Sequence, residues 1–145
     1  MPRAAALAAA LAAALALAAP APAQTTTERG LPVFDSAGDM RAELDRLVRD
    51  RDFVAVVERF SPPATMSLGR VRVLQDRLKD TIAPLEDSTD FVREEISADI
   101  TREVIAYWTG DTYVYVYLLT HDRGDGLRVL DFRITGDVRA IADWW

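Results

Sequence analysis

Pro84 divides the chain between two kinds of periodicity, and that division constrains the fold more than any motif within it. Before it, apolar residues recur three and four positions apart. Ser36 with Asp39 three residues on has the form of a capping box, and Met40, Leu44, Leu47 and Val48 then share one helical face. A first helix is therefore expected from Ser36 to near Arg49. Phe53, Val56, Val57 and Phe60 predict a short second helix, which Pro62-Pro63 must end. Leu68, Val71, Leu74, Leu78 and Ile82 form the clearest stripe, with Arg70, Arg72, Arg77, Lys79 and Asp80 mostly off it, and Pro84 stops this third helix.

After Pro84 the pattern is that of strands. Phe91 to Ile96, Ile100 to Thr109, Thr112 to Thr120, Leu127 to Thr135 and Val138 to Trp145 are rich in β-branched and aromatic residues, with turn residues between most of them. Gly110-Asp111 suits a two-residue hairpin turn, and His121 to Gly126 reads as a longer loop. Helices first and antiparallel strands second, in 145 residues, imply one α+β domain with its helices on one face of a curved sheet.

The first 23 residues stand apart. Arg3, an apolar run from Ala4 to Ala19 and the exit Ala21-Pro22-Ala23 have the form of a secretory signal peptide, so the mature chain is expected to start at Gln24 in the periplasm or outside the cell. Gln24 to Asp35 is polar and irregular and is expected to be a disordered leader, leaving 36–145 as the folded domain. No later stretch has the roughly 18 continuous apolar residues of a membrane span. The absence of cysteine excludes disulfide scaffolds, zinc-thiolate sites and cysteine nucleophiles. With 23 acidic against 17 basic side chains, a nucleic-acid partner is not expected either.

A hairpin at Gly110-Asp111 sets Trp108 opposite Tyr113, Ala106 opposite Tyr115 and Val104 opposite Tyr117, all on one face. A four-residue loop at Asp122 to Asp125 then brings Leu130 beside Tyr117, Phe132 beside Tyr115 and Ile134 beside Tyr113. This aromatic face is expected to be the one that the helices cover. Within it, Trp108, Tyr113, Tyr115 and Tyr117 are candidate walls of a pocket for a small apolar or aromatic ligand. The opposite face carries Ile105, Tyr107, Val114, Val116, Leu118 and Val129 together with Glu103, Asp131 and Arg133. It is too apolar to be left in water, so Ile105, Tyr107, Val114, Val116, Leu118, Asp131 and Arg133 are expected to form a homodimer interface.

Three helices followed by a meander of long strands, with Asp52-Phe53-Val54-Ala55-Val56-Val57-Glu58-Arg59-Phe60 after the first helix, resembles the cone-shaped, cystatin-like fold of nuclear transport factor two-like proteins. That superfamily includes ketosteroid isomerase, scytalone dehydratase and SnoaL-type polyketide cyclases, and also secreted domains of unknown activity, which this chain resembles most. The resemblance implies a second subunit across the sheet. Its isomerases set a carboxylate base against a tyrosine, which Asp131 and Tyr107 imitate, but on the expected interface face.

Other constellations are weak. His121, the single histidine, stands beside Asp122 with no activated nucleophile to serve. Asp122, Asp125 and Gly126 fail the spacing of a calcium loop, Arg123-Gly124-Asp125 reads as a turn, and the adjacent Glu94 and Glu95 point to opposite faces of a strand. Neither a cofactor nor a metal is expected. The expectation is a non-catalytic ligand-binding or assembly domain; the alternative is a small isomerase, dehydratase or cyclase using Asp131 or His121 as base.

Overall fold

A computed structural model describes residues 30–63 and 67–144, without the side chains of Leu74, Arg77, Leu78 and Thr81. The signal-peptide expectation, two of the five residues of the third stripe and Trp145 thus lie outside what is described.

The three expected helices are present. Helix α1 (Ala37–Arg49) starts at Ser36, whose hydroxyl oxygen accepts from the Asp39 amide at 3.1 Å, and buries Met40, Leu44, Leu47 and Val48. Helix α2 (Phe53–Phe60) is capped by Asp52 and buries Phe53, Val56, Val57 and Phe60. Helix α3 (Leu68–Thr81) buries Val71, with Leu68 and the following Ile82 packed partly against the same core.

The α1–α2 connection turns tightly through Arg51, which adopts φ 57° where glycine is usual. The Arg51 amide donates to the Val48 carbonyl and the Asp52 amide to the Leu47 carbonyl, both at 3.0 Å, which closes the end of α1. A left-handed arginine costs about 1 kcal/mol. Its guanidinium offsets this by donating to the carbonyls of Lys79 and Ile82, tying the end of α3 to the end of α1.

Five strands form one antiparallel sheet in the order β1-β5-β4-β3-β2. They are β1 (Val33–Phe34), β2 (Asp87–Glu95), β3 (Ile100–Thr109), β4 (Thr112–Asp122) and β5 (Leu127–Thr135). The protein is therefore an α+β domain with its helices on one face of the sheet. The β3–β4 register is the expected one: Trp108 pairs with Tyr113, Ala106 with Tyr115 and Val104 with Tyr117.

Three expectations are corrected. First, the leader is not irregular as far as Asp35: Val33 and Phe34 pair with Arg128 and Leu127. Phe34 is buried and stacks on Phe60 with ring centroids 4.9 Å apart. A two-residue strand is too short to show alternation in sequence. Second, the segment expected as a last strand is a 3-10 helix, Val138–Trp144. Asp137 caps it by accepting from the Arg139 amide at 2.9 Å, and Val138, Ile141 and Trp144 repeat at three, the 3-10 period.

The third correction reverses the sheet. Between Leu119 and Thr120 the β4–β5 register shifts: Thr120 pairs with Val129 and Leu119 with Asp131, so Leu130 is an extra residue in β5. Because side chains alternate with period two, one extra residue moves everything after it to the other face. Phe132 then lies opposite Leu118 and Ile134 opposite Val116, whereas Asp131 and Arg133 lie opposite Leu119 and Tyr117. The face bearing Ile105, Tyr107, Val114, Val116 and Leu118 thereby gains Phe132 and Ile134 and loses two charges. It is this face that the helices cover, in one core with Met40, Leu44, Val48, Val56 and Phe60.

The residues expected at a dimer interface are thus divided. Ile105, Tyr107, Val114, Val116 and Leu118 are interior to the chain, and Asp131 and Arg133 are on the opposite face. Val116 is fully buried beneath the helices, so Val116→Asp should unfold the chain or cost more than about 3 kcal/mol, seen by chemical denaturation, because it strands a charge in an apolar core. Had this been an interface, the same change would have left a folded monomer.

Candidate functional site

The helix-covered face is not filled to its end. Where the strands β4 and β5 meet the turn side of the hairpin, a cavity of about 460 Å³ opens between the sheet, α2 and α3. Phe53 and Val57 of α2, Val71 of α3 and Ile82 after it wall one side. Val114 and Ile134 wall the other, with Tyr113, Thr135, Gly136 and Arg70 completing the lining. Such a volume is within the range of roughly 300–1,000 Å³ common for small-ligand pockets. Its walls are predominantly apolar, with a few polar groups.

Hydrogen bonds made by two side chains place the helices around it. Gln75 Oε1 of α3 accepts from the Val54 amide at 2.8 Å, in the first turn of α2 where no intrahelical partner exists. Arg51 holds the other end of α3 through the carbonyls of Lys79 and Ile82. At the mouth, the Gly136 position would set a Cβ 3.6 Å from the Tyr113 carbonyl, so the chain passes close to the hairpin there.

Of the four aromatic residues expected to line a pocket, the structure brings only Tyr113 to this cavity. Trp108, Tyr115 and Tyr117 are on the other face, and the Tyr113 ring, although the residue borders the cavity, stacks in the same outer run. Trp108 and Tyr113 are 6.1 Å apart, Tyr113 and Tyr115 6.0 Å, and Phe91 meets Tyr115 at 5.8 Å. Phe91 is the extra residue of a second bulge, in β2 between Asp90 and Val92. The C-terminal 3-10 helix covers part of this face, its Ile141 buried with Val104, Ala106, Tyr115 and Tyr117 and its Trp144 ring 5.7 Å from that of Tyr117. Arg133 lies over the Tyr117 ring at 5.2 Å and pairs with Asp131 at 2.8 Å. Burial, with the Asp131 charge adding to it, raises the Tyr117 hydroxyl above its ordinary value.

The carboxylate–tyrosine pair suggested by Asp131 and Tyr107 is not formed, since the two are on opposite faces. Tyr107 instead donates to Asp45 of α1 at 2.6 Å. Burial and that bond hold its hydroxyl well above the ordinary tyrosine range. Asp45 also accepts from Arg41 at 2.9 Å, and Arg41 reaches across to Asp90 of β2. Burial works against the Arg41 charge, but the bonds to Asp90 and Asp45 outweigh it and raise the group. Beside them Glu103 is buried, with Arg93 at 3.3 Å. Burial is the largest influence on Glu103 and raises it, and Arg93 only partly counters this. This polar cluster joins α1 to the β2 side of the sheet and contributes nothing to the cavity wall.

His121 faces Asp99 at 3.8 Å and does not line the cavity. In the turn, Asp122 accepts from the Gly124 amide at 2.9 Å, and Asp125 pairs with Arg128 at 2.7 Å, a bond that lowers the Asp125 carboxyl. Glu94 is bonded by Arg102. Among the described residues no group of three or more His, Asp or Glu is arranged to hold a metal ion, and no helix is long and apolar enough to cross a membrane. Comparison with known protein families, with curated proteins and with solved structures finds no match.

Sequence reasoning missed the cavity because it treated the helical stripes as simple covers. Phe53, Val57, Val71 and Ile82 were all legible as apolar. The missing signal is that α2 has only eight residues, too short to span a sheet whose central strands run to 10 and 11.

Glu103 gives a test of the polar cluster. Its folded-state value lies above the ordinary 4.5, so the folded chain holds that proton more tightly than the unfolded one. Its contribution to stability is present at low pH and is lost as pH rises from 4.5 through the raised value. Glu103→Gln should remove that loss, and denaturant titrations across this window should show the variant gaining on the wild type as pH rises. Tyr107→Phe should cost about 1–2 kcal/mol, measured the same way, because it leaves Asp45 short of a donor in a part-buried site.

Proposed function

We propose that this protein is a non-catalytic binding domain that takes a small, mainly apolar ligand in the cavity between α2, α3 and the sheet. The observation that supports this best is the cavity itself: about 460 Å³, apolar-walled and open, in a domain that otherwise packs its helices closely on the sheet. Close packing is the rule in protein interiors, and a space far larger than a methyl group costs stability unless something occupies it. The catalytic alternative finds less support, because neither Asp131 nor His121 lines the cavity.

The wider reading remains a proposal of the same kind. The apolar run ahead of Ala21-Pro22-Ala23 and the lack of cysteine favour a secreted or periplasmic protein. The order of helices and strands favours kinship with nuclear transport factor two-like domains, in which a pocket between helices and sheet would be at home.

The test is occupancy. A neutral polarity-sensitive dye such as Nile red should bind the wild type with a fluorescence rise and a stoichiometry near one. Ile134→Trp, at a half-buried position on the cavity wall, should weaken that binding about tenfold or more while far-UV circular dichroism stays unchanged. Dye binding that is indifferent to Ile134→Trp and to Val71→Phe would overturn the reading.

A further inference from the structure

Among the described residues, the cavity has one charged residue in its wall, and that residue is a cation. Arg70 lies in the first turn of α3, is exposed, and lines the cavity beside the buried Val71. No carboxylate stands in that first turn to neutralise it. Among the described residues, Arg72, Arg123 and Arg139 are likewise without a carboxylate partner, but none of them lines the cavity. Arg41, Arg59, Arg93, Arg128 and Arg133 each pair with a carboxylate, in a chain whose acidic groups outnumber its basic ones by six. Among the described residues no carboxylate lies within ion-pair distance of Arg70. In a chain so rich in acids, an arginine left open at the mouth of an apolar cavity complements one kind of molecule.

We propose that the ligand is an aliphatic chain with a single anionic head: the chain lies against Phe53, Val57, Val71, Val114 and Ile134, and the head meets the Arg70 guanidinium at the mouth. The inference rests on the cavity being a binding site, as proposed above, and adds the charge and shape of what enters it. A guanidinium donates two parallel hydrogen bonds to a carboxylate or phosphate, which orients the head and leaves the tail pointing inward. An uncharged chain of equal length would gain the apolar burial and none of this. A ligand with two charges would carry one of them into the apolar wall at high cost.

Isothermal titration of the purified protein with decanoate, decyl phosphate and decanol separates the parts. Both anions should bind more tightly than decanol by about five- to tenfold, a modest factor because Arg70 is exposed and its charge is screened. Arg70→Ala should bring the anions down to the level of decanol and leave decanol itself unchanged, and Arg70→Lys should restore part of the difference. Ile134→Trp should weaken all three together. If decanoate exceeds decyl phosphate, the natural source is a carboxylate such as a free fatty acid; the reverse order points to a phosphate head, as in a lipid. Either order supports the proposal. Equal affinity for anions and decanol in the wild type, or an anion preference that survives Arg70→Ala, overturns the headgroup inference while leaving the cavity as a binding site. No binding of any of the three overturns both.

Discussion

One extra residue in β5 decides which face of this sheet becomes the interior. Up to Val129 the strand alternates one way, and after Leu130 it alternates the other, so Val129, Phe132 and Ile134 all point toward the helices while Asp131 and Arg133 point away. Without the bulge, the strand would set Asp131 and Arg133 among Val116 and Leu118, and the helices would have to bury an ion pair. Desolvating that pair costs more than its mutual attraction returns. On the outer face the same two residues satisfy one another, and Arg133 also lies over the Tyr117 ring. The bulge therefore sorts charge from apolar surface, and the rest of the core follows from that sorting.

The sorting is imperfect on the β2 side, and the polar cluster there is the consequence. Glu103 and Tyr107 share the helix-covered face with Ile105, and a buried tyrosine hydroxyl and carboxylate both need partners. Asp45 and Arg41 on the exposed shoulder of α1 supply one set, and Arg93 and Asp90 on the edge strand supply the other. Helix α1 is thus positioned at one side by charge and along its length by Met40, Leu44, Leu47 and Val48. Helix α3 has no comparable charged anchor to the sheet among the described residues; Arg51 and Gln75 fasten it to α1 and α2 instead.

The helices and the central hairpin were legible because each rests on local rules. Ser36 with Asp39, Asp52 before Phe53, and Gly110 at the turn, with φ 54°, act within a few residues of themselves. The choice of faces was not legible, because it depends on a pairing between Leu119–Thr120 and Val129–Asp131 that no local pattern marks. A bulge leaves the composition of a strand unchanged and alters only its parity. The same limit explains the C-terminal segment: Val138, Ile141 and Trp144 suit a strand by residue type, and only the cap at Asp137 and the period of three distinguish the 3-10 helix. The aromatic residues were correctly grouped with one another, since Trp108, Tyr113 and Tyr115 do form one run, yet only Tyr113 reaches the cavity.

A cavity walled by two helices and the sheet has a consequence for stability as well as for binding. Among the described side chains of α3, Val71 is buried in the core, with Leu68 and the following Ile82 packed partly against it. A ligand lying against Val71 and Ile82 on one side and Val114 and Ile134 on the other would bridge α3 and the sheet. Binding to the folded state alone stabilises it by mass action, in proportion to the logarithm of ligand concentration over the dissociation constant. On the proposed function, the helix that forms the cavity mouth is then also the element whose docking the ligand completes. Occupancy and the local order of α3 are in that case one equilibrium, and the polar cluster beneath α1, which shares no wall with the cavity, stands outside it.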